Sequence, residues 1–445
     1  MKIIEGFARA KARLSRQKVA TSFAVSPSLQ KGIEKLFGKG VDAEGAVRQI
    51  LEDVRTRGDA ALRDWTLKID RIQLDSLEVT KEQVKEAYRE VDKELVSALQ
   101  LVRGRLCDFH AWQRRGLQFE VDELGMGVLV RPLGRVGVYV PGGLASYPST
   151  VLMTVVPAKV AGVKEVIMVT PSRRGGKVPA ATLVAADITG VDRIFSVGGA
   201  QAVAALAFGT ETIPQVDKVC GPGNVFVVLA KKLVYGVVAI DGLQGPSEVM
   251  VVADETADPD LCAADLLAQA EHDPLASAVL VTDSPTLAKK VNQAVEKQLE
   301  SLERQKIIRE SWDNQGLIVL VDSIGEAVEL ANLYAPEHLL LAVKGSPGYI
   351  GQVRNAGCLV VGENPTVVLG DYAAGPSHVL PTGGTARFGS PLNITDFVKL
   401  ISLVNVDEVT LGRLGGAAVT IARAEGLEAH ARAIEKRLER LKEKA

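Results

Sequence analysis

Up to about Gln118 the apolar positions recur at helical spacing. Val47, Ile50, Leu51 and Val54 form an i, i+3, i+4, i+7 stripe behind Asp42, a residue suited to an N-cap, and Gly58 stands where such a helix ends. Thr80 and Gln83 have capping-box spacing ahead of Val84, Ala87, Tyr88 and Val91, and a further stripe runs through Leu95, Leu99, Val102 and Leu106. From about Gly127 the period changes to short apolar runs that end in Gly, Pro or Ser and lead into helical segments. Val136–Val140 runs into Pro141-Gly142-Gly143, Val166–Val169 into Thr170-Pro171-Ser172, Ile194–Val197 into Gly198-Gly199, and Lys218–Cys220 into Gly221-Pro222-Gly223-Asn224. A second series follows, with strands at Val249–Ala253, Ala278–Thr282, Leu317–Val321 and Leu339–Val343 and helices ending near Glu271, Gln305 and Leu333. Strand, helix, strand in repetition predicts an α/β fold with mostly parallel sheets, and two series of like grammar point to a duplication. From about Leu392 the chain is predicted helical. Leu427, Ala431, Ile434, Leu438 and Leu441 make an apolar seam there, which docks either on its own domain or on a second subunit.

A chain of 445 residues exceeds the ~250–300 at which single cores stop growing, so at least two domains are expected. Lys+Arg 52 against Asp+Glu 54 gives a net charge of −2, which leaves no surplus of cations to neutralise a nucleic-acid backbone. Only 4% of residues are aromatic, so the core must be aliphatic. No apolar run approaches the ~18 residues of a membrane span. Lys2, Arg9, Lys11, Arg13, Arg16 and Lys18, interrupted by Glu5, describe a basic amphipathic arm and not a secretory signal. Cys107, Cys220, Cys262 and Cys358 stand too far apart for a CxxC motif or a compact disulfide framework, which fits a reducing cytoplasm.

Ligands of open α/β sheets bind beyond the carboxyl ends of the strands, where the glycine-rich segments lie and where backbone N–H groups can approach a phosphate. None of these segments is a GxGxxG, and Val166–Val169 ends in Thr170 instead of the acid that holds an adenosine ribose, so the ordinary dinucleotide fingerprint is absent. On the glycines alone, plain turns are the simpler account. The chain has five histidines, His110, His272, His338, His378 and His430. Gln269 and His272 share one face at a helix end, and Asp371 and His378 flank polar turns; His, Asp and Gln suit a borderline cation such as zinc, although a helix-end cap explains the first pair more simply. Glu337-His338 follows Ala335-Pro336, which ends a helix, and presents an acid and a base on a loop, either for proton transfer or as a solvated turn. Gly426 lets Glu425 leave the helix that carries His430.

These residues recur in ordered motifs along almost the whole chain: Arg57-Gly58-Asp59-Ala60-Ala61-Leu62, Val136-Gly137-Val138-Tyr139-Val140-Pro141-Gly142-Gly143, Val155-Val156-Pro157-Ala158-Lys159-Val160-Ala161-Gly162-Val163, Gly198-Gly199-Ala200-Gln201-Ala202, Gly221-Pro222-Gly223-Asn224, Gly245-Pro246-Ser247-Glu248-Val249, Gln269-Ala270-Glu271-His272-Asp273-Pro274, Ala335-Pro336-Glu337-His338-Leu339, His378-Val379-Leu380-Pro381-Thr382-Gly383-Gly384-Thr385-Ala386-Arg387-Phe388 and Glu425-Gly426-Leu427-Glu428-Ala429-His430. In them the sequence resembles the histidinol dehydrogenases. The one departure is Asp241-Gly242-Leu243-Gln244, where that family more often has alanine just before Gly-Pro-Ser.

The resemblance implies two duplicated, incomplete Rossmann-like parallel-sheet domains with small helical segments at both ends, the C-terminal one exchanged in a homodimer. Residues 1–30 would form the arm, 31–135 with 247–391 a discontinuous domain bearing the metal and catalytic loops, 136–246 the NAD-binding domain, and 392–445 the dimerisation segment. It implies zinc-requiring oxidation of L-histidinol through L-histidinaldehyde to L-histidine with NAD, the last steps of histidine biosynthesis; a related dehydrogenase of another small polar alcohol is the alternative. Carried over by position, Gln269, His272, Asp371 and His430 would hold one zinc per subunit, His430 acting on the neighbour's site. Glu337 and His338 would be catalytic, with Ser247, His378 and Glu425 also touching substrate and Tyr139, Gln201 and Asn224 touching NAD. His110 matches no site motif and reads as structural. No nucleic acid or membrane partner is implied.

Overall fold

The computed structural model describes residues 2–15, 25–117, 126–142, 146–173, 176–362 and 364–444; Arg16, Lys18, Gln118 and Gly143 of the motifs above lie outside them. The chain divides into two compact units, Met1–Trp112 with Leu133–Phe397, and Gln113–Pro132 with Val398–Ala445. In chain order the strands are β1 (Lys2–Glu5), β2 (Met126–Pro132), β3 (Arg135–Tyr139), β4 (Glu165–Val169), β5 (Arg193–Phe195), β6 (Lys218–Cys220), β7 (Ala239–Ile240), β8 (Glu248–Ala253), β9 (Ser277–Thr282), β10 (Leu317–Leu320), β11 (His338–Ala342), β12 (Cys358–Val361) and β13 (Val398–Val404).

The larger unit holds two sheets, β5-β4-β3-β6-β7 and β1-β10-β9-β8-β11-β12, whose named pairings are all parallel. Numbered within its own series, each sheet reads third, second, first, fourth, fifth strand, the order of a Rossmann sheet lacking its sixth strand, with β1 added beside the third strand of the six-stranded one. The duplication read from the grammar of the sequence is therefore present as identical topology. The predicted helix behind Asp42 is there as Ala43–Arg57, with the Asp42 carboxylate accepting from the Gly45 N–H at 2.7 Å, and the Thr80/Gln83 capping box is complete at Lys81–Glu90. Residues of the helices Pro27–Phe37, Ala43–Arg57 and Asp59–Asp70 share one core with Phe195, Val197 and Val203 of the five-stranded layer. The six-stranded sheet buries both faces, one against Pro259–Ala270 and Pro285–Leu299, the other against Phe7–Leu14 and Ile324–Tyr334.

Three stretches differ from the pattern reading. The amino-terminal arm opens as strand β1 on the edge of β10, and its helix Phe7–Leu14 starts only after Gly6. The helix expected to reach Gln305 ends at Leu299, and a separate helix runs Gln305–Gln315. Past Leu392 the chain is not helical throughout: β13 pairs antiparallel with β2, from Val398 opposite Pro132 to Val404 opposite Met126. The smaller unit adds the helices Glu408–Ala424 and Glu428–Lys444, and the predicted seam closes them, with Ala431 buried and Leu438 against Gly415. Among the described residues no helix is long and apolar enough to cross a membrane, and all four cysteines are free.

Candidate active site

His338 opens β11, in register with Val249 of β8 on one side and Cys358 of β12 on the other. The helix Ile324–Tyr334 stops just before it, at Ala335, whose φ of 50° turns the chain ahead of Pro336 and Glu337. Both acid and base are thereby buried, so the solvated-turn reading of Glu337-His338 falls away. His338 Nε2 lies 3.2 Å from Asp371 Oδ1. Burial pulls its pKa down, but the hydrogen bond and charge of Asp371, with Cys358 and Glu337 adding, outweigh that and push it up to about 10. Glu337 Oε2 accepts the Glu248 N–H at 2.8 Å, and burial pushes this carboxyl up to about 8 against the opposing pull of His338.

Asp371 belongs to the short helix Val367–Tyr372, anchored through the buried Asp265, which accepts from the Thr366 hydroxyl and from Val367 N–H at 3.3 Å. The Asp371 carbonyl, left free at a helix end, takes His378 Nδ1–H at 2.9 Å. Since a carbonyl only accepts, Nδ1 carries the proton and Nε2 faces the Thr150 hydroxyl, at 3.3 Å, as an acceptor. Burial holds the His378 pKa below the ordinary imidazole value, which agrees with that neutral tautomer. Thr150 lies in the first turn of Pro148–Ala161, the helix that follows β3, so the two sheets meet at His378. Gln269 ends the helix Pro259–Ala270, and His272 follows it; the charges acting on the His272 imidazole include those of Asp371 and His338. Ser247 precedes Glu248 at the start of β8, and Gly245 N–H and Glu248 Oε1 hold the loop at Thr382 and Gly383 at 2.6 and 3.3 Å.

Except for Thr150, in the first turn of the helix after β3, these groups lie around the amino ends of the strands of the six-stranded sheet, not at their carboxyl ends. The reason is electrostatic. In a parallel α/β sheet the helices return so that their C-termini, with unpaired carbonyls, gather at the strands' amino ends, and a cation is favoured there. At the opposite end helix N-termini gather and favour an anion.

The five-stranded sheet uses that opposite end. Beyond it lies a cavity of about 1120 Å³ lined by Tyr139, Gly142, Gly199, Gln201 and Asn224 among others, above the ~300–1,000 Å³ of ordinary ligand pockets. Gln201 is fully buried, yet neither its amide oxygen nor its nitrogen has a partner. The Tyr139 hydroxyl accepts Gly199 N–H at 3.1 Å, and burial pushes its pKa up to about 12, so it remains a donor. Asn224 caps the helix Val225–Val234 through Oδ1, which leaves its NH₂ to donate. Gly221 is obligatory: its φ is +112°, and a Cβ would lie 2.1 Å from the Tyr139 carbonyl oxygen.

The sequence reading did not pick out Thr150, Asp265 or Glu248. Glu248 was detectable as the neighbour of Ser247; Thr150 gives no signal that sets it apart from Ser149 and Thr154 of the same helix. Glu425 and His430 lie in the smaller unit, exposed on either side of Gly426, whose φ of 76° separates their helices as expected. Among the described residues no group of three or more His, Cys, Asp or Glu is gathered to hold a metal. His110 is buried on the helix Lys93–Arg115 with its ring edge-on to Phe109.

The histidinol dehydrogenase family profile matches residues 38–438. The chain is 56% identical over 439 residues to histidinol dehydrogenase of Dehalococcoides mccartyi (strain CBDB1), covering 99% of this chain and 100% of that one. It is 50% identical over 441 residues to the enzyme of Deinococcus radiodurans, covering 98% and 100%. A crystal structure of histidinol dehydrogenase from Elizabethkingia anophelis superposes with a TM-score of 0.91 at 34% identity over 99% of each chain. With its duplicated sheets, its buried Glu-His pair and these likenesses over its whole length, the chain belongs to the histidinol dehydrogenase family.

Proposed function

We propose that this chain oxidises L-histidinol through L-histidinaldehyde to L-histidine, passing two hydrides to two NAD+, at the end of histidine biosynthesis in the cytoplasm. The observation that carries the reading is the pair Glu337-His338, buried at the strand start with Asp371 on the imidazole. Hydride can leave the alcohol carbon only as the hydroxyl proton is drawn off, and His338 is the base placed to take it. Asp371 raises the affinity of His338 for a proton; a cation held by Asp371 would weaken that pull and lower the imidazole's pKa, making His338 a better acceptor. In the second oxidation Glu337 activates the water that adds to the aldehyde, and His338 takes the hydrate's proton. Ser247, His378 and Glu425 hold the substrate. His378 presents Nε2 as an acceptor, which a substrate N–H would take in place of the Thr150 hydroxyl.

The donor chemistry fits zinc: Gln269, His272 and Asp371 of one chain offer N and O ligands at an end of the sheet where helix C-termini favour a cation, with His430 of the partner subunit as the fourth. When bound, the metal supplies a Lewis-acidic anchor for substrate nitrogens. The orphaned Gln201 amide is what fits the cavity to the dinucleotide, with Tyr139 and Asn224 as further donors. A homodimer is supported by the exposed Leu400, Ile401, Val404, Val409, Leu414 and Ile421 of the smaller unit, large apolar side chains that a second subunit would cover. The test is the yield of NADH per L-histidinol. Two per substrate are expected, with the rate lost to a chelator and restored by zinc. A yield of one would overturn the two-step reading, and no NADH would overturn the substrate.

A further inference from the structure

Strand β4 is the second of its series, the strand from whose end a dinucleotide fold ordinarily sends an acid to the adenosine ribose, and here it is followed by Thr170. Pro171, Ser172 and Arg173, which come next, line the large cavity, so the place is kept and the carboxylate is missing.

The same cavity is lined by Asp70, brought from a distant part of the chain as the last residue of the helix Asp59–Asp70. Among the described residues no partner accounts for an acid there. A carboxylate at a helix C-terminus faces unpaired carbonyls and is disfavoured. Asp70 is half-buried, and burial alone acts on it, raising its pKa with no hydrogen bond or cation in opposition. Its charge reaches the Tyr139 hydroxyl in the same cavity. A group desolvated at a cost and left unpaired among the described residues is a group placed for a ligand.

We infer that Asp70 supplies the missing ribose-binding carboxylate, accepting the vicinal hydroxyls of the adenosine ribose and excluding a 2′-phosphate. The inference rests on the reading of the cavity as the dinucleotide site. Because Lys68, Arg71 and Arg173 line the cavity too, removing the one acid among them leaves a cationic wall that would welcome the extra phosphate.

The test is direct binding of NADH and NADPH to the full-length chain, followed by nucleotide fluorescence, for wild type, Asp70→Asn, Asp70→Ser and Gln201→Ala. A hydrogen bond to a charged acceptor corresponds to roughly ten- to hundredfold in affinity, so Asp70→Asn should weaken NADH by about tenfold or more. NADPH should tighten in the same variant, and the preference for NADH should shrink further. Asp70→Ser, which removes charge and reach together, should behave alike. Unchanged NADH binding and preference in both Asp70 variants, with Gln201→Ala weakened, would overturn the inference alone. Unchanged binding in all three would overturn the cavity reading with it.

Discussion

The segment Asp241-Gly242-Leu243-Gln244 supports a sharp prediction. Lys231, on the helix Val225–Val234, pairs with Asp241, and both side chains are 1% exposed. Its ammonium also donates to the Gly221 carbonyl at 3.0 Å and to Gln244 Oε1 at 2.9 Å, while Asp241 Oδ2 accepts the Gly221 N–H at 2.7 Å. Both backbone groups of the glycine beside Tyr139 are therefore held by one buried ion pair. Lys231→Met keeps most of the volume and removes the charge, which leaves a carboxylate in the interior without a cation. Breaking a buried pair from one side costs about 3–5 kcal/mol. At ~2.1 cal/mol/K of unfolding entropy per residue, the larger unit shifts by roughly 1.3 °C per kcal/mol, so unfolding should come roughly 4–6 °C earlier. Asp241→Leu added to Lys231→Met removes the stranded charge as well and should restore at least half of the loss, the remainder being the Gly221 N–H bond, about 1–2 kcal/mol. Circular dichroism melts of the wild type, the two single variants and the double variant give the coupling energy directly. A Lys231→Met chain that melts with the wild type, or single losses that merely add in the double variant, would refute the reasoning.

Mixing His338→Ala chains with His430→Ala chains should recover activity, since one site of each hybrid dimer then carries neither lesion; proven mixing with no recovery would show that the site is not shared. Glu337→Gln should abolish turnover yet stabilise the metal-free protein in a pH-dependent way. The folded carboxyl titrates near 8, above its ordinary 4.5. Its cost to stability is thus nil below pH ~4.5, grows as pH rises and is complete above about 8. Melts of the variant and its parent should coincide at acid pH and separate towards pH 8 and beyond; a separation that does not change with pH would sink the account.

Much of the fold was legible because it is written locally. Asp42, Gly58, Thr80 and Gln83 mark helix ends through backbone groups a few residues away, and the buried strands of both sheets announce themselves as short apolar runs. What escaped lies at edges. β1 is four residues long, and one pairing with β10 decides its state. Along β13 the side chains are mostly exposed, so Val398–Val404 lacks the inside-outside alternation by which strands are recognised. The candidate site was legible as residue types and motifs, but not its side of the sheet. His338, Asp371 and His378 are separated by up to forty residues, and only the register of β11 with β12 and the turn after Val367–Tyr372 bring them together. Asp70 was invisible for the same reason, since the cavity it lines is built by residues far away in sequence.

Strand β1 has a practical consequence. Its four residues cover the hydrogen-bonding flank of β10, and Ala10 and Leu14 behind it seal the hydrophobic layer beneath. Trimming this stretch would bare a row of amide and carbonyl groups ready to recruit another copy's backbone, the usual opening to precipitation. An affinity tag or a shortened expression clone is therefore safest when it leaves Lys2–Leu14 intact.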